Sequence, residues 1–130
     1  MMAKAKILIV EDEKLLNEAY ELVLKREGYE IHCAFNGEEA LGIFDKVVPD
    51  LVLLDLRMPK VDGVEFLKRL KPAEKYPNTK ILIFSNYDDQ HEIDEAFKYG
   101  ATRYILKAWS SPTELAKVVR ETLDMPVNVS

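Results

Sequence analysis

Pro49-Asp50-Leu51-Val52-Leu53-Leu54-Asp55 is an apolar run that ends in a carboxylate, and Ile7-Leu8-Ile9-Val10-Glu11-Asp12 repeats the pattern near the start of the chain. Continuous runs of four Ile, Val and Leu residues suit strands buried on both faces, as in a parallel sheet covered by helices. If the two strands are parallel neighbours, their carboxyl ends share one edge of the sheet. Three carboxylates, Glu11, Asp12 and Asp55, then converge where open α/β sheets bind ligands. Bare negative charges in one crevice repel, so the site calls for a cation, and an all-oxygen ligand set favours Mg²⁺.

Outward from these two strands the chain alternates strand and helix. The first strand is about Ala5–Val10. A helix follows over Glu13–Glu27, with Leu15, Leu16, Ala19, Leu22 and Val23 at helical spacing and Gly28 as its stop. The second strand, Tyr29–Phe35, leads into a helix that Asn36 caps, with Glu39 at its third position, and that Pro49 ends. The third strand is Leu51–Asp55. Asp62 caps the third helix, whose buried stripe is Val64, Leu67 and Leu70. The fourth strand is Lys80–Ser85. The fourth helix starts at Asp88 or Asp89, buries Ile93, Ala96 and Phe97, and stops at Gly100. The fifth strand is Arg103–Leu106. Ser111-Pro112-Thr113-Glu114 is a capping box with proline at the first helical position, and Leu115, Val119 and Leu123 form the inner face of the last helix. No internal repeat interrupts this order. Alternation of this kind makes right-handed βαβ units, hence one doubly wound α/β domain with a parallel sheet.

Composition agrees and excludes several classes. The 130 residues are 48% apolar and 32% charged, which is a globular balance for one domain. No apolar run approaches the ~18 residues needed to span a membrane. The stretch after Met1-Met2-Ala3-Lys4-Ala5-Lys6 is too short for a signal-peptide core, so a cytoplasmic location is expected. Cys33 is the single cysteine and cannot form an internal disulfide. A net charge of −5 argues against nucleic-acid binding by this domain.

Taken together the strand ends carry chemistry. Glu11-Asp12 and Asp55 supply acids, Ser85 a hydroxyl and Lys107 an ammonium. A carboxylate can attack phosphorus and form an acyl phosphate. A metal held by neighbouring acids neutralises the incoming oxygens, a lysine pairs with one of them, and a hydroxyl donates to another. Each residue alone has a plainer reading. Asp12 and Asp62 could be a turn former and a cap, Lys107 a solvated lysine and Ser85 a turn residue. His32 and His91 read as packed or solvated, Cys33 as a small core residue, and Trp109 as either a packing anchor or a partner contact.

Ile7-Leu8-Ile9-Val10-Glu11-Asp12-Glu13, Leu53-Leu54-Asp55-Leu56-Arg57-Met58-Pro59-Lys60-Val61-Asp62-Gly63, Ser85, Tyr104 and Lys107 resemble the receiver domain of two-component response regulators. The resemblance covers residues 5–125, with 126–130 as a tail or the start of a linker. It implies a flavodoxin-like, five-stranded parallel sheet of order 2-1-3-4-5 with five helices. It implies Asp55 as phosphoacceptor, and Asp12, Asp55 and the backbone carbonyl of Arg57 as Mg²⁺ ligands, with Glu11 assisting through the metal's water shell. Lys107 would contact the phosphoryl group. Ser85 and Tyr104 would form a switch pair, Ser85 turning inward and Tyr104 rotating in from the surface, read out on the face of the fourth helix, fifth strand and last helix. The implied partners are a sensor histidine kinase or phosphotransfer protein and an unidentified effector, in a chain that is a single-domain regulator or part of something longer. The protein would be a phosphoacceptor module with weak self-catalysis rather than a free-standing enzyme. The family's pattern has proline after the lysine. Ala108 stands there, and because a cis bond before a non-proline residue costs ~3–4 kcal/mol, a trans Lys107–Ala108 bond and a re-routed loop through Trp109-Ser110 are expected.

Three other classes fit less well. A phosphatase of the haloacid dehalogenase type would need a second acid where Arg57 stands, and a substrate cap. A flavin or nucleotide module would present a glycine-rich first turn rather than Glu11-Asp12-Glu13. A receiver-like adaptor that is not phosphorylated would not need the intact acid, hydroxyl and lysine set.

Overall fold

The apolar runs of the sequence are the inner strands of a five-stranded parallel sheet in the order β2-β1-β3-β4-β5. The computed structural model describes residues 4–107 and 111–126. Its strands are β1 (Lys6–Val10), β2 (Glu30–Ala34), β3 (Leu51–Leu54), β4 (Lys80–Ser85) and β5 (Arg103–Leu106). Its crossing helices are α1 (Lys14–Arg26), α2 (Gly37–Lys46), α3 (Gly63–Leu70), α4 (Gln90–Lys98) and α5 (Pro112–Leu123). The expected elements are all present, with ends displaced by a residue or two, as helix and strand ends commonly are.

One element was not anticipated, a single helical turn at Pro72–Lys75. Lys71 ends α3 in the left-handed region (φ 52°), and Pro72 starts the new turn with its φ already suited to helix. Gly100 ends α4 with φ 116°, a conformation that side chains with a Cβ rarely adopt.

Alternation along each strand divides the core in two. Leu8, Val10, Val52, Leu54, Ile81 and Ile83 face α2, α3 and α4, where they meet Phe44, Phe66, Leu67 and Ala96. Ile7, Ile9, Leu51, Leu53, Leu82 and Phe84 face α1 and α5, where they meet Leu24, Leu115, Val118 and Val119. Each fully buried Leu, Ile or Phe contributes roughly 1.5–3 kcal/mol relative to exposure. Every inner strand therefore serves two layers at once, which is why its sequence lacks a polar face.

The expected inner faces of two helices are corrected. In α1, Leu15 is 82% and Leu22 54% exposed, and Ala19 is also exposed. The buried positions are Asn17 and Leu24, with Leu16, Tyr20 and Val23 half-buried. The helix is rotated so that Asn17 can satisfy backbone carbonyls at the end of the sheet, and apolar Leu15 and Leu22 are left facing outward. In α4, Phe97 is 44% exposed while Ala96 is fully buried and Ile93 half-buried. The smaller residue takes the close contact with the sheet. Among the described residues no helix is long and apolar enough to cross a membrane.

Candidate functional site

The register of the sheet assembles the site. Val10 pairs with Leu54, so the residues that follow, Glu11-Asp12 and Asp55, leave the sheet side by side. The backbone continues the pairing for one more step, since the Asp55 N–H donates to the Val10 carbonyl (3.0 Å) and the Glu11 N–H to the Ala34 carbonyl (3.1 Å). Carboxylate oxygens of Glu11, Asp12 and Asp55 all lie within 4.8 Å of one another. Glu11 and Asp55 are buried and Asp12 is half-buried. Leu54 pairs with Ile83 and Ser85 with Leu106, which brings Ser85 and Lys107 to the same edge.

Lys107 directly follows β5 and its side chain turns toward the acids at the sheet edge. Its Nζ is 3.5 Å from Asp55 Oδ2 and forms a close ion pair with Glu11 Oε1. The second oxygen of Glu11 accepts the Glu13 N–H (3.1 Å), and Asp55 Oδ1 accepts the Arg57 N–H (3.3 Å). Asp55 is thus flanked by a main-chain donor and an ammonium.

Burial dominates the electrostatics. It pushes the Glu11 carboxyl up to about 7, against the lowering effect of Lys107 and the Glu13 N–H, with the Asp55 charge a small addition. Burial also raises Asp55, opposed by Lys107 and the Arg57 N–H, with Asp12 adding repulsion. For Lys107, burial alone would favour the neutral amine, but the hydrogen bond to Glu11 and the Asp55 charge hold it above its ordinary value. Glu11 and Asp55 are thus both raised, with desolvation the greater cause and like-charge repulsion the lesser.

Three oxygen donors this close, two of them in low-dielectric surroundings, suit a hard divalent cation. The chemistry of the donor set fits the metal expected from the sequence, with Glu11, Asp12, Asp55 and the Arg57 carbonyl as the residues that could hold it. Lys107 meanwhile supplies the only ammonium within ion-pair distance of Glu11 and Asp55 among the described residues.

Ser85 is fully buried, and its Oγ accepts the Tyr87 N–H (3.3 Å). Tyr104 is in register with Ile83, and its ring packs on the core beneath α2, α3 and α4. The Tyr104 hydroxyl is shielded from solvent and has no hydrogen-bond partner among the described residues, so its expected starting position at the surface is not the one seen here. Asp62 acts as a cap: its Oδ1 accepts the Glu65 N–H (2.9 Å). His32 pairs with Glu30 on the edge strand and His91 with Glu95 on α4, both away from the acids. Cys33 is half-buried against the α1 and α5 core. The Lys107–Ala108 bond and Trp109 lie outside the described residues.

Sequence reasoning missed two contributors. Asn17 is fully buried, and its Nδ2 donates to both the Glu11 and the Ala34 carbonyls (3.0 Å each), which pins the end of β1 where the acids begin. An asparagine at the centre of a helical apolar stretch was the signal. The other is the side chain of Arg57, which stacks on Tyr87 with the guanidinium carbon 3.7 Å from the ring centroid. Nothing local in the sequence announces that contact.

Comparison with known proteins gives a consistent result. Residues 7–120 match the family model described as the response regulator receiver domain. The chain is 35% identical over 127 residues to sporulation initiation phosphotransferase F of Bacillus subtilis, covering 98% of this chain and 100% of that protein. It is 34% identical over 125 residues to regulatory protein AtoC of Escherichia coli, covering 96% of this chain but only 26% of AtoC. Among solved structures it resembles chemotaxis protein CheY4 of Vibrio cholerae, with a TM-score of 0.84, 30% identity and coverage of 92% and 99% of the two chains. It also resembles a CheY-like receiver domain protein of Methanospirillum hungatei, with a TM-score of 0.86, 27% identity and coverage of 94% and 95%.

Proposed function

We infer the function from one premise: this chain belongs to the response regulator receiver domain family. It accepts a phosphoryl group on Asp55 from a phosphohistidine of a sensor histidine kinase or phosphotransfer protein. The observation that carries this reading is the setting of Asp55, a buried strand-end carboxylate with Lys107 at 3.5 Å and the Glu11 and Asp12 oxygens beside it.

In the transfer, an Asp55 carboxylate oxygen attacks phosphorus, the oxygen–phosphorus bond forms, and the donor's nitrogen–phosphorus bond breaks with its electron pair returning to the imidazole. Asp55 must be ionised to attack. Lys107 and the Arg57 N–H favour that form against the cost of burial. Lys107 is placed to follow the phosphoryl oxygens as a point charge, and the buried Ser85 hydroxyl would donate a hydrogen bond to another of them. Asp12, Asp55 and the Arg57 carbonyl would hold Mg²⁺, with Glu11 assisting, and the bound cation would supply the charge neutralisation that lets an anionic donor approach three acids. Water later removes the phosphoryl group. The module is a phosphoacceptor with weak self-catalysis and not an enzyme with a separate substrate.

The phosphorylated state is read by a downstream effector protein on the face formed by α4, β5 and α5. The partners are proteins rather than nucleic acid or membrane, in the cytoplasm. Incubation with acetyl phosphate and Mg²⁺ should add one phosphoryl mass per chain, and chelator or Asp55→Asn should prevent it. Full labelling of the Asp55→Asn protein would overturn the assignment.

A further inference from the structure

Two loops rise from the ends of β3 and β4, and a contact that the transfer reaction does not use joins them above the site. Arg57 follows Asp55 by two residues, and Tyr87 follows Ser85 by two. Their side chains stack, with 3.7 Å from the guanidinium carbon to the ring centroid. Their backbones do something further. The Arg57 N–H holds Asp55 Oδ1 and the Tyr87 N–H holds Ser85 Oγ, each at 3.3 Å. One member of the stack thereby holds Asp55, which takes the phosphoryl group, and the other holds Ser85, which turns toward it.

The same guanidinium is also tied to α4. Arg57 Nε lies 3.2 Å from Glu92 Oε1, and Nη2 lies 4.0 Å from Asp89 Oδ2. Asp89 is the N-cap of α4, its Oδ1 accepting the His91 N–H (2.9 Å), and Glu92 is in the first turn. The acceptor loop, the hydroxyl loop and the start of α4 therefore meet on one side chain. The Tyr104 hydroxyl, shielded and without a hydrogen-bond partner among the described residues, is raised above its ordinary pKa by burial first and then by the charges of Asp88 and Glu92, with Arg57 opposing.

We propose that Arg57 is a positioning residue of the switch, a latch that ties the first turn of α4 to the loops after β3 and β4 while Asp55 is bare and opens when Ser85 turns to the phosphoryl group. The proposal rests on the reading of Asp55 as phosphoacceptor. Two changes open the latch together. Ser85 Oγ leaves the Tyr87 N–H, which releases one end of the stack. The new anionic oxygens on Asp55 compete with Glu92 and Asp89 for the guanidinium. The latch is weak enough to be thrown by one such exchange, since Arg57 and Asp89 are 44% and 48% exposed at the side chain, and stacks and ion pairs at such exposure are individually slight. This gives α4 a route to the signal that runs through Tyr87 and Arg57, beside the one through Tyr104.

The test is amide hydrogen exchange across α4 together with the Tyr104 ring resonances, on the full chain, with intact mass to count phosphoryl groups. In bare protein, Arg57→Ala and Tyr87→Leu should each speed α4 exchange by about fivefold, and the double variant by no more than either single one. Arg57→Lys, which keeps a cation over the ring, should fall between. Phosphorylation should produce the same acceleration in the unsubstituted protein and add little to Arg57→Ala. Wild-type α4 exchange in both single variants, independent addition of the two effects, or a full phosphorylation response in Arg57→Ala would each overturn the latch. If the unsubstituted protein gains no phosphoryl mass, the phosphoacceptor reading fails and the opening step with it, while the bare-protein cycle still judges the latch itself.

Discussion

Replacing Lys107 with methionine keeps most of the buried stem and removes the ammonium, and the resulting loss of stability should grow with pH. The Lys107 side chain is 10% exposed, and those of Glu11 and Asp55 are 3% and 10%, so solvent screens the cluster little. Breaking a buried ion pair costs ~3–5 kcal/mol when the remaining charge has no escape. Glu11 has one, because burial already pushes its pKa up to about 7. At pH 6 most of it carries a proton and there is little charge for Lys107 to neutralise. At pH 8 the ionised form is favoured in the wild type by ~1.4 kcal/mol, the worth of one pH unit, and the variant forfeits that by keeping the proton. The folded-state pKa lies above the ordinary 4.5, so the support that Glu11 protonation lends the fold is complete below that value and is lost as pH rises through about 7. Without Lys107 the folded-state pKa climbs further and the loss extends above 7. Lys107 itself, raised from 10.5, stays charged throughout this window. Urea unfolding of both proteins at pH 6 and pH 8, in chelator, should show a stability difference about 1–1.5 kcal/mol larger at pH 8, or ~3–6 °C in Tm for a chain of this size. Equal losses at the two pH values, or a larger loss at pH 6, would refute the reasoning.

Three further outcomes are expected. Asn17→Ala removes the donor to two buried carbonyls and should cost about 1–3 kcal/mol in urea unfolding with an unchanged m-value; a loss below ~0.5 kcal/mol would mean that water replaces the amide. Asp12→Ala should shrink the rise in Tm produced by added Mg²⁺ while raising Tm in chelator, and a lower Tm in chelator would count against repulsion among the acids. Ser85→Ala should still take one phosphoryl group, but amide shifts around Tyr104 on phosphorylation should be smaller than in wild type. Shifts of equal size would send the signal by another route.

The layers of the fold were legible because each rests on short-range chemistry. Ile7–Val10 and Leu51–Leu54 could only be doubly covered strands, and the caps Asn36, Asp62, Asp89 and Ser111 each accept a first-turn N–H as their residue types foretell. The faces of α1 and α4 were less legible. Leu15, Leu22 and Phe97 satisfy helical periodicity, yet periodicity says only that a stripe exists. Which edge of the stripe meets the sheet was settled by Asn17 seeking two carbonyls and by the close approach of Ala96.

The site divides along the same line. Sequence by itself determined that acids stand at the ends of two buried strands, with a hydroxyl and an ammonium at the ends of two others, since strand ends follow from local runs of residues. Only the tertiary structure decided how those groups pair. Lys107 and Glu11 are 96 residues apart, and their ion pair exists because the parallel sheet brings the ends of β5 and β1 to one edge, where the two side chains meet. The same holds for Arg57, whose partners Tyr87, Asp89 and Glu92 lie on another loop and another helix. The degree of burial that lifts Glu11 to about 7 belongs to the packed sheet as well, because desolvation depends on every layer around a charge and not on its neighbours in the chain.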